Sequence, residues 1–176
     1  GDKLKITPTE VRGKLDTTAT LEVTGQYSEL PLRGWAVKIA PDGKLTPIAT
    51  GFRQANGVGL SPDGDFFVND NQGDYKPSCG LLHVAPGDFH GHVAGLKWEP
   101  GFDPKTFTTE QAWQRYKGPA VVFPHGPMGV SGGEIIWDTT GGKFGPFAGQ
   151  VFAGDYTKLV IRSALEKVAG TWQGVC

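Results

Sequence analysis

Arg53, Gln54 and Asn56 stand just before a short apolar run, and Asn69, Asp70, Asn71, Gln72 and Asp74 follow the next one. Eight hydrogen-bonding or charged groups thus flank residues 57–68, a density suited to a binding site. Asp70, Asn71 and Asp74 offer oxygens at close spacing, which suits calcium, a hard cation that takes six to eight of them, although the glutamate of an EF-hand loop is missing. Capping of loops and of strand ends is the structural use of the same side chains. His90 and His92, in Phe89-His90-Gly91-His92, would share one face of an extended segment and could ligate zinc, copper or iron, with no third ligand nearby. His125 follows the strand-like Val121-Val122-Phe123 and enters a glycine-containing loop, so it is the candidate for general acid–base work; a structural histidine at a strand end is the alternative. Gly141-Gly142-Lys143 lacks the Walker spacing, and no Gly-x-Ser-x-Gly elbow occurs, which removes nucleotide and serine-hydrolase chemistry from consideration.

These residues need positioning elements, and the composition indicates which kind. Twenty-seven Gly and 13 Pro among 176 residues leave little room for long helices, so the chain reads as all-β. The formal charge of −1 gives no electrostatic reason to expect nucleic acid or an acidic membrane, and no apolar run approaches the roughly 20 residues of a bilayer span. Two cysteines, Cys79 and Cys176, allow one disulfide and make no Cys-x-x-Cys metal pair.

The strand grammar repeats. Trp35 to Ile39 and Lys44 to Ala49 flank Ala40-Pro41-Asp42-Gly43; Gly57 to Leu60 and Asp65 to Val68 flank Ser61-Pro62-Asp63-Gly64. Proline presets φ and glycine supplies the positive φ of each tight turn. A related unit runs from Gly133 to Asp138 and on to Gln150–Asp155, with Asp70 and Asp155 closing corresponding strands. Further strands are expected at 18–24, 80–84 and 159–162, with another beginning at 165–168. Thr108 to Tyr116 is the one helical pattern, with Thr108 as N-cap and Gln111 as its capping-box partner. Repetition of short strands between Pro/Gly turns points to a β-propeller. The division is a leader and partial strand over 1–33, then blades over 34–176 with an insertion at 88–120. At about 40–45 residues per blade the chain holds about three, so a fragment of a longer propeller, completed by remaining blades or a second chain, is expected. Trp137, Phe144 and Phe147 suit packing between blades, or stacking on a pyranose.

Gly51-Phe52-Arg53-Gln54-Ala55-Asn56-Gly57 before a Pro-Asp-Gly hairpin resembles the Gly-His-Arg-Asn-Pro-Gln-Gly segment of the quinoprotein soluble glucose, aldose-sugar and sorbosone dehydrogenases. Phe67 to Asp74, Phe89 to His92 and Trp137 to Phe147 are similar to motifs of the predicted membrane-bound-dehydrogenase-type propellers of planctomycete-like bacteria, often joined to c-type cytochrome domains. The resemblance covers Gly34 to Cys176. It implies a six-bladed propeller, a pyrroloquinoline quinone (PQQ) over the central channel, a supporting calcium, a sugar or alcohol substrate, and a periplasmic or secreted location in the bacterial cell envelope. By position, Arg53 matches the arginine that contacts the quinone, and a guanidinium suits a quinone carboxylate or a developing oxyanion. Gln54 and Asn56 accompany it as candidate cofactor contacts. The family histidine before that arginine is Phe52 here, Gln54 replaces an asparagine, and no residue matches the catalytic histidine. Quinone-dependent oxidation and a non-catalytic propeller, binding carbohydrate or protein or serving as a scaffold beside a cytochrome domain, are the two functions implied.

Overall fold

The computed structural model describes residues 31–73 and 75–176; the strand expected at 18–24 and the candidate ligand Asp74 lie outside them. Within the described residues the chain is β-rich, with three antiparallel sheets, and no helix is long and apolar enough to cross a membrane. It divides into two compact units. One holds the described residues up to Arg53 with Gly73–Lys76 and Pro86–Lys117; the other holds Gln54–Gln72, Pro77–Ala85 and Gly118–Cys176.

In the first unit, β1 (Trp35–Ile39) and β2 (Leu45–Thr50) form a hairpin. Its turn is closed by Gly43 N–H to Ala40 O (2.8 Å) and by Lys44 N–H to the Asp42 carboxylate (2.9 Å), with Gly43 at φ 82°. The end of β2 runs on into the excursion: His90 N–H donates to Thr50 O at 2.8 Å, and Phe89 bridges to both Thr50 and Tyr116. That excursion holds a 3-10 helix, Val93–Trp98, which the sequence pattern did not announce, and α1 (Thr109–Arg115), which it did. The Thr108 hydroxyl accepts from Gln111 N–H while the Gln111 side chain accepts from Thr108 N–H, the reciprocal box expected from the spacing. Tyr75, Phe89, Val93, Leu96, Phe107 and Ala112 form this unit's core. Trp113 lies at the margin and meets Tyr75 and Tyr116 edge-on.

The second unit contains two four-stranded meanders. The first comprises β3 (Gly57–Leu60), β4 (Phe66–Asp70), β5 (Cys79–His83) and β6 (Val121–Phe123); the second comprises β7 (Gly132–Trp137), β8 (Val151–Asp155), β9 (Val160–Val168) and β10 (Thr171–Val175). In each the strands lie side by side in chain order. The Ser61–Asp65 turn repeats the β1–β2 turn, with Gly64 N–H to Ser61 O at 2.9 Å and Gly64 at φ 88°. The strand foreseen at 165–168 is instead the continuation of β9, which turns into β10 through Ala169 and Gly170, both at positive φ.

The two sheets stack with their order preserved. First strand β3 lies against first strand β7, and fourth strand β6 approaches β10. Alternation along the strands sends Phe67, Leu81, Val121, Ile135, Trp137, Val151 and Ile161 into one core between them. Phe67 is fully buried, with its ring 5.1 Å from Trp137 and 5.6 Å from Trp172. Glycines permit the approach at the first strands: a Cβ on Gly57 would collide with the Gly133 carbonyl, and Gly59 rests on Ile135 and Trp137.

Candidate functional site

Strand direction alternates in each meander, so the start of β3, the end of β4, the start of β5 and the end of β6 share one end of their sheet. Asp70, fully buried at the end of β4, accepts at Oδ1 from Gln54 N–H (2.8 Å) and Asn71 N–H (2.9 Å). Asp155, at the end of β8, accepts at Oδ2 from Val130 N–H and Ser131 N–H, both at 3.0 Å, and at Oδ1 from the Thr157 hydroxyl and N–H. Burial pushes the Asp155 carboxyl up, but the Thr157 hydroxyl and the N–H groups of Thr157, Val130 and Ser131 outweigh it and hold it below its ordinary value. The two acids thus do the same work in the two sheets. Each ties the end of the second strand to the residues leading into the first.

Buried amides extend this bracing between the sheets. Asn69, with no exposed surface, donates from Nδ2 to Gly133 O at 3.1 Å. Asn71 accepts from Gly132 N–H at 3.0 Å and donates to the Ser131 hydroxyl at 3.3 Å, and the Cys79 thiol points at its Oδ1 (3.7 Å) and at Gln72 Oε1 (3.4 Å). Asn56 lends its main-chain N–H to Asn69 O and its side-chain amide to Gly132 O. No family model, curated protein or solved structure matches the chain. A cation at Asp70 and Asn71 would compete with the hydrogen bonds that join the sheets. Among the described residues no group of three or more His, Cys, Asp or Glu is placed to hold a metal.

The other candidates fall in different places. Gln54 and Asn56 are exposed at the lead-in to β3. His125 is exposed beyond β6, where its N–H donates to the Ser78 hydroxyl at 3.3 Å. Because β3 and β6 are the two outer strands of one sheet, three strand spacings or about 14 Å separate the lines on which Asn56 and His125 lie. The structure does not bring these two together, and the His125 imidazole has no hydrogen-bond partner among the described residues to orient it as a base. In the first unit, Arg53 is half-buried and lies beside Gly73: a Cβ built there would stand 3.8 Å from Arg53 Cβ and 3.6 Å from His92 Cβ.

His90 and His92 are both buried but do not form the extended pair expected, because Gly91 between them sits at φ 98° and breaks the alternation. His90 stacks on Phe52, centroids 4.9 Å apart, and its Nδ1 faces Lys117 O at 3.1 Å, so Nδ1 carries the proton. Phe52, where the resembled segment has histidine, is thus a core residue. Both cysteines are free thiols, Cys79 buried and Cys176 exposed.

One cluster carries no signal in the sequence. Asp65 Oδ1 meets His83 Nε2 at 3.3 Å and Asp65 Oδ2 meets Lys167 Nζ at 3.3 Å, joining the far ends of the two sheets. Burial raises the Asp65 carboxyl, yet the bonds from Lys167 and His83, with the Lys167 charge, bring it below its ordinary value. Lys167 is 102 positions from Asp65, and no local motif signals such a partner.

Proposed function

We propose that this chain forms part of a β-propeller of the sugar/sorbosone dehydrogenase-like group, exported to the bacterial periplasm or cell envelope, and that its own polar strand ends brace the ring for a binding or scaffold role, such as one beside a c-type cytochrome domain. The observation that carries the reading is the order-preserving stack of two four-stranded meanders, first strand on first strand through Gly57 and Gly133, each with an aspartate closing its second strand. Adjacent propeller blades pack in this manner around a central channel. Asp70 and Asn71 favour bracing over catalysis, because their side chains engage main-chain groups at the sheet ends.

A second reading, quinone-dependent oxidation of a sugar or alcohol, is favoured by Arg53, Gln54 and Asn56 standing in the lead-in to the first strand of a meander. PQQ, when bound, would accept the hydride of the carbinol carbon. The Arg53 guanidinium and the Gln54 amide suit its carboxylates and carbonyl oxygens, whereas the Asn56 amide already donates to Gly132 O. Titration of the complete polypeptide with PQQ, with and without calcium, and dye-linked oxidation of aldoses and alcohols decide between the two. The bracing role predicts no cofactor binding and no turnover. Saturable quinone binding together with dye-linked turnover, both lost in Arg53→Ala with folding intact by circular dichroism, would overturn it and establish the oxidative role.

A further inference from the structure

The helical excursion of the first unit bears an open cleft of about 350 Å³ between the segment after the 3-10 helix and one side of α1. That volume lies at the lower end of the range of about 300–1,000 Å³ found for small-molecule sites. Its aromatic side is the half-buried Phe102, which meets the buried Phe107 behind it edge-on with centroids 5.2 Å apart. The remaining lining is polar, and its charges are largely cancelled. Glu99 and Arg115 hold one another through two bonds, at 2.8 and 3.0 Å.

The hydrogen-bonding capacity left over is mixed. Gln111 uses its Oε1 in the helix cap, which leaves its amide donors. Gln114 uses its Nε2 on Glu110, which leaves its carbonyl oxygen as an acceptor. Asp103 uses one carboxylate oxygen on Lys105 N–H, which leaves the other. An anion would meet the Asp103 carboxylate, and the paired Glu99 supplies little extra charge for a cation. A ligand with both hydroxyl donors and acceptors, and with C–H faces to lay on an aromatic ring, satisfies the whole lining. We propose that this cleft binds a neutral sugar unit. The site is distinct from the ends of β3 and β4, and it stands whether or not the chain belongs to a quinoprotein ring.

Amide NMR titration of the chain with D-glucose, D-xylose and N-acetyl-D-glucosamine, with calcium chloride as a separate arm, tests it. Saturable shifts confined to residues 99–115 are expected with at least one sugar, at a millimolar dissociation constant. Phe102→Ala and Gln114→Leu should each weaken that binding by about tenfold or more, while Lys44→Ala, on the remote hairpin, leaves it unchanged. Gln114 is a helix-surface residue, so its variant keeps the test intact if Phe102→Ala fails to fold. The proposal is overturned if no sugar gives saturable shifts in 99–115, if calcium alone produces them, or if folded Gln114→Leu binds sugar as the parent does.

Discussion

A buried aspartate at the end of β4 and its counterpart at the end of β8 each accept main-chain N–H groups from the lead-in to the first strand of their sheet, Asp70 from Gln54 and Asp155 from Val130 and Ser131, while Asp70 also accepts from its neighbour Asn71. The parallel between Asp70 and Asp155 was legible in the sequence, but its purpose was not. The N–H groups they serve come from residues as far as 25 positions away, and a carboxylate that braces a sheet looks the same in one dimension as a carboxylate that binds calcium. The pH dependence follows from the direction of the shift. Asp155 and Asp65 have folded values depressed below 3.8, so their contribution is present above the unfolded value and is lost as pH falls through the folded one. Asp155→Asn should therefore flatten the acid limb of a plot of melting temperature against pH, and an unchanged acid limb would rule out the clamp. Gly57 makes the sharper test of packing. A methyl there meets the Gly133 carbonyl, a main-chain group that cannot swing aside, so Gly57→Ala should cost about 2–4 kcal/mol in urea unfolding, whereas Gly43→Ala, with open space around it, should cost only the strain of its positive φ.

At the scale of elements, strands bounded by Pro-Asp-Gly turns were readable almost residue for residue, because the turn chemistry is local: β1 to β4 lie within two residues of their expected limits. The hairpin joining β9 and β10 was not readable, and its turn shows why. Ala169 occupies φ 49°, a conformation that alanine does not signal, so the continuous apolar and charged pattern gave no boundary. The 3-10 helix at Val93–Trp98 escaped for a related reason: six residues are too short to display a period, and its His92 cap makes no side-chain bond. Ala169 carries a prediction. Replacing it with glycine removes the Cβ penalty of the left-handed region, so Ala169→Gly should leave stability unchanged or raise it by up to about 1 kcal/mol, a small gain because glycine also loses more entropy on folding. A loss of more than about 1 kcal/mol in urea melts would show that the Ala169 methyl makes a contact that outweighs its strain.

At the scale of the whole molecule, the far face of the β7–β10 sheet bears on what the chain is built to join. Strand alternation turns Ile136, Phe152 and Arg162 away from the shared core, and Phe144 and Phe147 fold over that face to make an aromatic triad with Phe152, ring centroids 5.7–5.9 Å apart. Arg162 covers Phe147 at 5.3 Å, yet Ile136 remains 70% exposed and Phe144 64%. Contiguous apolar side chains on a sheet face are what a stacked neighbour covers, and the β3–β6 sheet covers the opposite face of this same sheet in that way. The sequence contained the residues of this surface but not its exposure, since Ile136 and Ile135 differ only in which way the strand points them. If the face serves as a joint, Ile136→Lys in the isolated chain should leave its unfolding free energy in urea within about 0.5 kcal/mol of the parent, because little is buried there to lose. The same change should reduce self-association in sedimentation velocity by placing a charge in the patch. A fall in stability of about 2 kcal/mol or more would mean instead that Ile136 is packed within the folded chain, and the face would then have to be excluded as a joint.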